Sequence, residues 1–235
     1  MVDPKASRRL TRERVVAAAL AVVDRDGLEG LTMRALGREL DVDPMAAYHH
    51  VPSKAAILQG VVEAILDEIE VPDPATTIPW PDGVRRIATE YRRALLAHPN
   101  ALPVVSTQPV LTPRGLRLIE AAAALLVRGG LRPEEAVEAI NGGAALVIGS
   151  VLVEAGVTPG TEPIAQADID AAYSTLSGDE YPTIAAAMAA IGADAFDPAF
   201  QFDGLLDAFV RGLEVRLGAA PKGERVAAAN ARPEA

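Results

Sequence analysis

The side chains best placed for chemistry crowd the far end of one segment, LTMRALGRELDVDPMAAYHHVPSK, which runs from Leu31 to Lys54. Tyr48, His49, His50 and Lys54 put a phenol, two imidazoles and an ammonium within seven residues. Such donors suit phosphate oxygens, which set the register of a protein on nucleic acid without reading its sequence. The residues before them read as two short helices joined by a tight turn. That unit lays one helix in the DNA major groove and fixes it through phosphate contacts. Catalysis is poorly served by comparison. There is no cysteine, no nucleophile-elbow serine and no His–carboxylate spacing for a metal. The third histidine, His98 beside Pro99, reads as a helix-terminal cap rather than a base.

The elements that must position this segment follow from periodicity and punctuation. A first helix is predicted from about Ser7 to Asp26, with Val16, Ala19, Leu20 and Val23 on its apolar face and Gly27 as a left-handed cap. Thr32 caps a second helix, Met33 to Leu40. Asp41-Val42 has the length of the turn in a helix-turn-helix. Asp43 then caps a short third helix with Pro44 in its first turn, ending near His50. Val51-Pro52 breaks the chain, and Ser53 caps a fourth helix whose buried stripe is Ile57, Leu58, Val61, Ile65 and Ile69.

A proline-rich stretch, Val71 to Pro81, forms a stiff spacer and the expected domain boundary. Helices are then predicted over 82–97, 113–128, 133–156 and 198–217, with a broken stretch over 98–112. The segment 158–179 reads as a polar loop with a short helix, and 181–191 as another turn or two. Residues from Ala219 onward have the composition of a disordered tail. Nothing reads as a strand, so the expected fold is all-α: a three-helix head over 1–70 and a helical body over 71–218. The stretch Ala139–Val153 is apolar all round, which predicts burial on every side. It falls short of the roughly 20 residues that a membrane span needs.

Charge adds a second signal. Across 235 residues the net charge is −10, yet residues 1–54 carry +1 and the remainder −11. Lys5, Arg8, Arg9, Arg12 and Arg14 face only Asp3 and Glu13 in the first 14 residues, making a basic arm on an acidic body. That asymmetry fits a DNA-binding head. The charged N-terminus has no signal-peptide character, so a cytoplasmic protein is expected.

The order of basic arm, long helix, LTMRALGRELDV, Pro-opened helix, YHHVPSK and apolar fourth helix resembles the tetracycline-repressor (TetR) family of bacterial transcription regulators. WPDGVRRIATEYRRALLAHPN, STQP and LRPEEAVEAINGGAALVIGSVLVEAG are similar in pattern to the effector domain of the tetracycline repressor itself. The resemblance implies that Thr32 seats its helix on a phosphate and that Tyr48, His50 and Lys54 clamp phosphates. His49 either joins them or packs inward. Arg34 with Pro44, Met45 and Ala46 would face the groove floor, Arg34 pairing with a guanine and Met45 and Ala46 touching a thymine methyl.

In the body the resemblance places a ligand pocket at Ile87, Tyr91, Val104, Val105, Thr107, Leu116, Ile119 and Leu146. The magnesium-holding histidine of the tetracycline repressor corresponds to Val104 or Val105. No metal or other cofactor is therefore expected, and the implied effector is hydrophobic or aromatic. The resulting expectation is a homodimeric repressor of a palindromic operator. Its two chains would join through the 133–156 and 198–217 helices, with residues 54–70 as the lever between ligand and DNA. The rival readings are a regulator governed by a protein partner without a small ligand, and a helical enzyme.

Overall fold

The structure, a computed structural model, describes residues 10–71, 78–108, 110, 112–156, 177–191 and 198–219, with six positions between 165 and 175. Among the described residues there are helices and no strands. They are α1 (Arg12–Gly30), α2 (Met33–Leu40), α3 (Lys54–Asp67), α4 (Trp80–Ala97), α5 (Leu102–Thr107), α6 (Pro113–Arg128), α7 (Pro133–Ala155), α8 (Pro182–Ile191) and α9 (Pro198–Ala219). Single 3₁₀ turns stand at Ala46–His49 and Pro99–Ala101. Of the basic arm, Lys5, Ser7, Arg8 and Arg9 lie outside the described residues, as does the tail beyond Ala219.

Capping explains where the first three helices begin. The side chains of Thr11, Thr32 and Ser53 accept hydrogen bonds from the amides of Arg14, Ala35 and Ala56, each satisfying a donor that the first turn leaves unpaired. The cap at Thr11 starts α1 there and not at Ser7. Gly27 lies at φ 72°, ψ 178°, a conformation essentially reserved for glycine, so regular helix stops as expected and one further turn follows to Gly30. Asp41 takes the left-handed position after α2 at φ 54°, where the sequence offers no glycine.

The head closes around Val15, Val16, Ala19, Val22 and Val23 of α1, Leu36 and Leu40 of α2, and Ile57, Val61 and Ile65 of α3, all buried. Two expected core residues, Leu20 and Leu58, are only half-buried. Val15, Val22, Val62 and Leu66 occupy the interior in their place, because α1 and α3 each bury a face wider than one i, i+3, i+4 stripe. α1 and α3 cross closely at Gly60, where a Cβ would collide with the Val16 side chain.

The expected third helix is the main departure. Pro44 and Met45 form a turn, and one 3₁₀ turn, Ala46–His49, follows. Asp43 does cap it, accepting from the Met45 amide at 2.8 Å. Pro44 lacks a donor, and Pro52 biases Val51 away from helical backbone. Seven residues between such ends cannot recover the cost of nucleating an α-helix. The stretch 98–112 departs in the other direction, since it contains α5.

The chain divides into two compact units, 1–141 and 142–235. In the first, α4 and α6 pair closely: a Cβ on Gly83 would strike Leu125, and one on Gly129 would strike Trp80. α1 packs on the turn at Pro99–Ala101 and α3 on α4, α5 and α6, so no break in compactness falls at the proline-rich boundary. In the second unit, Val147 and Val151 of α7 and Phe202, Leu206, Val210 and Leu213 of α9 are buried, and Gly142 and Gly143 face the ring of Phe209.

α7 is not buried on every side. By length and composition its 23 residues suffice to cross a membrane, longer than the 139–153 run implied, and among the described residues only 22 % of its most apolar window is buried. Val137, Leu152 and Val153 are exposed, as are Leu205 and Val215 of α9. Among the described residues, therefore, Val147 and Val151 of the helix are covered whereas Val137, Leu152 and Val153 are not.

Gly37 provides a direct test of the head. A Cβ there would lie 3.0 Å from the Cα of Pro44 and 3.0 Å from the carbonyl oxygen of Val42. Helix propensity favours alanine over glycine by about 0.5–1 kcal/mol. Overpacking against backbone costs about 1–3 kcal/mol and should win. Gly37→Ala is therefore expected to lower the urea midpoint of unfolding, and an unchanged or raised midpoint would refute the close packing.

Candidate nucleic-acid interface and effector region

The motif sorts its residues into buried and exposed sets. Ala35, Leu36, Gly37, Leu40, Ala47 and Val51 turn inward, whereas Thr32, Arg34, Met45, His49, His50 and Lys54 are exposed. Met45, with 63 % of its surface open, is a large apolar side chain held out from a packed head. Pro44 and Ala46 are half-buried, with Pro44 wedged against Gly37. His49 does not pack inward. The 3₁₀ geometry eclipses side chains three apart, which sets Ala46 and His49 on one edge of the turn. The side chain of Tyr48 lies outside the described ones.

Local electrostatics suit an anion. Lys54 stands in the first turn of α3, where its charge adds to the positive end of the helix dipole. The hydroxyl of Thr32 is committed to its cap at 3.1 Å, so it would meet a phosphate through the α2 end it organises. Glu13 is held below the usual carboxylate range, first by its hydrogen bond to backbone and by the Thr11 hydroxyl, with the charges of Arg12 and His50 adding to this. Arg25 joins α1 to α2 by pairing with Asp26 and with Glu39 at 2.9 Å.

The residues expected around an effector do not share one environment. Val104 and Val105 are buried, Ile87, Tyr91 and Ile119 are half-buried, and Leu116 is 48 % exposed. Burial pushes the phenol of Tyr91 up to about 12. Thr107 is exposed, and its hydroxyl donates to the Pro103 carbonyl at 2.6 Å within its own turn of helix. Leu146 belongs to the second unit. Ile87 and Tyr91 lie one turn apart on α4, so they present a common edge of that helix.

One constellation was missed by sequence reasoning. The ring of His98, only 13 % exposed, has Nδ1 2.9 Å from an Asp24 carboxylate oxygen of α1 and Nε2 2.9 Å from Oε1 of Glu68 at the end of α3. Asn100 donates to the Asp24 carbonyl at 2.8 Å. The HPN sequence after α4 was the available signal, but its partners lie 74 and 30 residues away.

An all-helical head that exposes a cationic and apolar turn, followed by further helices with exposed apolar residues, is the arrangement of the helix-turn-helix class. Residues 15–61 match the tetR family of bacterial regulatory proteins, and residues 72–217 match the tetracyclin repressor-like C-terminal domain. The chain belongs to the TetR family. The relatives that match it are named as transcriptional regulators and repressors.

A transcriptional regulator of Saccharopolyspora erythraea is 33 % identical over 145 residues, a match spanning 62 % of this chain and 61 % of the relative, under two thirds of its length. The transcriptional repressor DrrR1 of Streptomyces coeruleorubidus is 30 % identical over 216 residues, covering 88 % of this chain and 78 % of the repressor. Among solved structures, the Streptomyces coelicolor TetR-family protein ActR in complex with actinorhodin superposes with a TM-score of 0.77 at 28 % identity, covering 89 % of this chain and 99 % of ActR.

Two substitutions separate positioning from reading. Lys54→Ala is expected to weaken binding to every duplex and reduce the slope of log affinity against log salt by about one. Arg34→Ala should also relax base preference at one position, by about 1–3 kcal/mol. Affinity titrations across salt and single-base variants measure both. A Lys54 variant with the parent salt slope would remove the phosphate assignment.

Proposed function

We propose that the chain works as a homodimeric repressor in the cytoplasm, binding a palindromic operator and leaving it when a largely apolar, aromatic effector binds the body. The observation that carries this reading is the outward display of Arg34, Met45, His49, His50 and Lys54 on a head that turns Leu31, Ala35, Leu36, Leu40, Ala47 and Val51 of the same motif into its core. The proposed DNA-contacting set is Thr32, Arg34, Pro44, Met45, Ala46, Tyr48, His49, His50 and Lys54. Division of labour at the proline-rich stretch, head before and effector body after, is part of the same proposal. Selection of duplexes from a random library by the purified protein tests it. A two-fold symmetric consensus is expected, and an asymmetric consensus or none would overturn it.

The second copy of the chain is argued from surface chemistry. Val137, Leu152 and Val153 of α7 and Leu205 and Val215 of α9 are exposed apolar side chains. Gly149, Gly204 and Gly212 have nothing within 4 Å of where a Cβ would stand, leaving room for another helix to approach closely. A second copy covering both helices would remove this surface from water at roughly 25 cal/mol per Å². Leu205→Arg places a charge on that face without touching the buried core. It should halve the mass seen by sedimentation and abolish tight operator binding while keeping helical content. A dimeric variant would show that another face is used.

The effector is proposed to meet Ile87 and Tyr91 on α4, with Val104, Val105, Thr107, Leu116, Ile119 and Leu146 as the wider candidate set. The positions aligned with the metal-binding histidine of the tetracycline repressor are valines, which offer no ligand atom to magnesium. Val104 is core, and Val104→Asp would bury a charge, so Tyr91→Phe is the cleaner probe. Release of the selected operator can be followed with polycyclic aromatics, actinorhodin among them, and with tetracycline plus magnesium. The aromatics should release DNA and the tetracycline complex should not. Tyr91→Phe should raise the concentration needed by about five- to tenfold through one lost hydrogen bond. Release by tetracycline–magnesium alone would overturn the reading.

A further inference from the structure

His98 sits where three elements meet, and its two ring nitrogens are fully committed. Nδ1 lies 3.0 and 2.9 Å from the two oxygens of Asp24, and Nε2 lies 2.9 Å from Oε1 of Glu68. A neutral imidazole has one N–H and one lone pair. With carboxylates at both nitrogens, a neutral ring would aim its lone pair at an anionic oxygen. Only the imidazolium can donate to both sides, so this geometry requires a charged ring.

Among the described ion pairs, His98 is the cation that lies between these two groups. On α1, Arg25 next to Asp24 is occupied by Asp26 and Glu39. At the end of α3, Asp67 pairs with Arg114 of α6, while Arg93 of α4 donates to the backbone carbonyl of Glu68 and to the carboxylate of Glu90. The turn after α4 adds Asn100, which holds the backbone of Asp24 and not its carboxylate. Burial by itself would drive the proton off His98; hydrogen bonds to Glu68 and Asp24, with their charges, more than reverse that and leave the ring more basic than an ordinary histidine at 6.5.

The position matters because of what each partner carries. Ile87, Tyr91 and His98 follow one another along α4 and its cap, Tyr91 and His98 about two turns apart and near the same face. Asp24 and Glu68 belong to α1 and α3, the two helices that cross at Gly60 and frame the motif. One end of α4 therefore grips both framing helices of the head, and its middle bears the proposed effector contacts.

We propose that the His98 imidazolium, held between Asp24 and Glu68, is the positioning joint that fixes the DNA-reading head on the effector-binding helix, and that it does so only while charged. This rests on the dimeric, operator-binding reading above. Two heads must stand at one spacing to engage a palindrome, whereas a single half-site tolerates a loosely held head. Loss of the charge should thus weaken palindrome binding relative to half-site binding. The sign of the pH effect follows from linkage. A group made more basic by folding stabilises fully below its ordinary value of 6.5, and that contribution is lost as pH rises through its raised value.

The test uses the full chain. Only three histidines are present, so ring ¹⁵N spectra are readily assigned, with His98→Gln identifying its own signals. Both His98 nitrogens should be protonated at pH 7.5, and a neutral tautomer there would overturn the proposal. Affinities for the library-selected palindrome and for one half-site are then measured from pH 6 to 9. His49 and His50 act once on a half-site and twice on the palindrome, so the ratio of the palindrome affinity to the square of the half-site affinity isolates His98.

That ratio should fall about tenfold with rising pH in the parent chain, within the usual range of coupling between sites. It should be low and flat in His98→Gln, and high and flat in His98→Arg. A ratio unmoved by pH in the parent, which needs no variant to fold, would overturn the joint. If the parent shows no preference for the palindrome at any pH, sedimentation separates the causes. A monomer would overturn the dimer reading and the joint with it, whereas a dimer would overturn the joint alone.

Discussion

The head depends first on how closely two pieces of backbone approach at Gly37. With Pro44 Cα and the Val42 carbonyl both 3.0 Å from where a side chain would begin, α2 and the turn after it meet at one angle. The left-handed Asp41 supplies the reversal that brings them there, and Asp43 ties the turn's first amides. From that angle follows the sorting of the motif, with Leu36, Leu40, Ala47 and Val51 inward and Arg34, Met45 and His49 outward. A splayed turn would spoil the core and the display together.

Much of this was legible because it is local chemistry. Thr32 and Ser53 announce helix starts through hydroxyls placed three residues ahead of the amides they accept from, and Gly27 announces a stop because no other residue tolerates its backbone. α6 and α7 begin at prolines where the sequence predicts they should. What escaped depends on competition or distance. The 3₁₀ turn at 46–49 reflects the combined effect of two prolines, each harmless alone to a helical reading. Leu20 and Leu58 satisfy the apolar period yet lose their places to Val22 and Val62, because three helices choose the buried faces jointly. Of the set proposed to face DNA, Thr32, Arg34, Met45, His49, His50 and Lys54 are exposed, Pro44 and Ala46 are half-buried, and the Tyr48 side chain lies outside the described ones. The effector set does not unify, since Thr107 spends its hydroxyl on its own helix.

Composition and compactness divide the chain differently, and the difference has a physical origin. Prolines 72, 74, 79 and 81 interrupt the helical pattern, but the helices on either side still pack together. Asp24, Glu68 and Asp67 of the head side meet His98, Asn100, Arg93 and Arg114 of the body side. Ionic ties of this kind contribute little net stability, since desolvation offsets attraction, but they are directional. They hold an orientation more effectively than they hold a fold.

The brevity of the turn at 46–49 sets a limit on information. Four residues of 3₁₀ helix advance about 8 Å, the height of roughly two or three base pairs. With four choices at each step, such a reader distinguishes some tens of addresses, against about 10⁶–10⁹ competing positions in a genome. One head alone is thus a poor index to a chromosome. On the proposed reading, discrimination is multiplied by flanking contacts and by a second reader held at a set distance, so finding one place depends as much on geometry between readers as on the side chains that read.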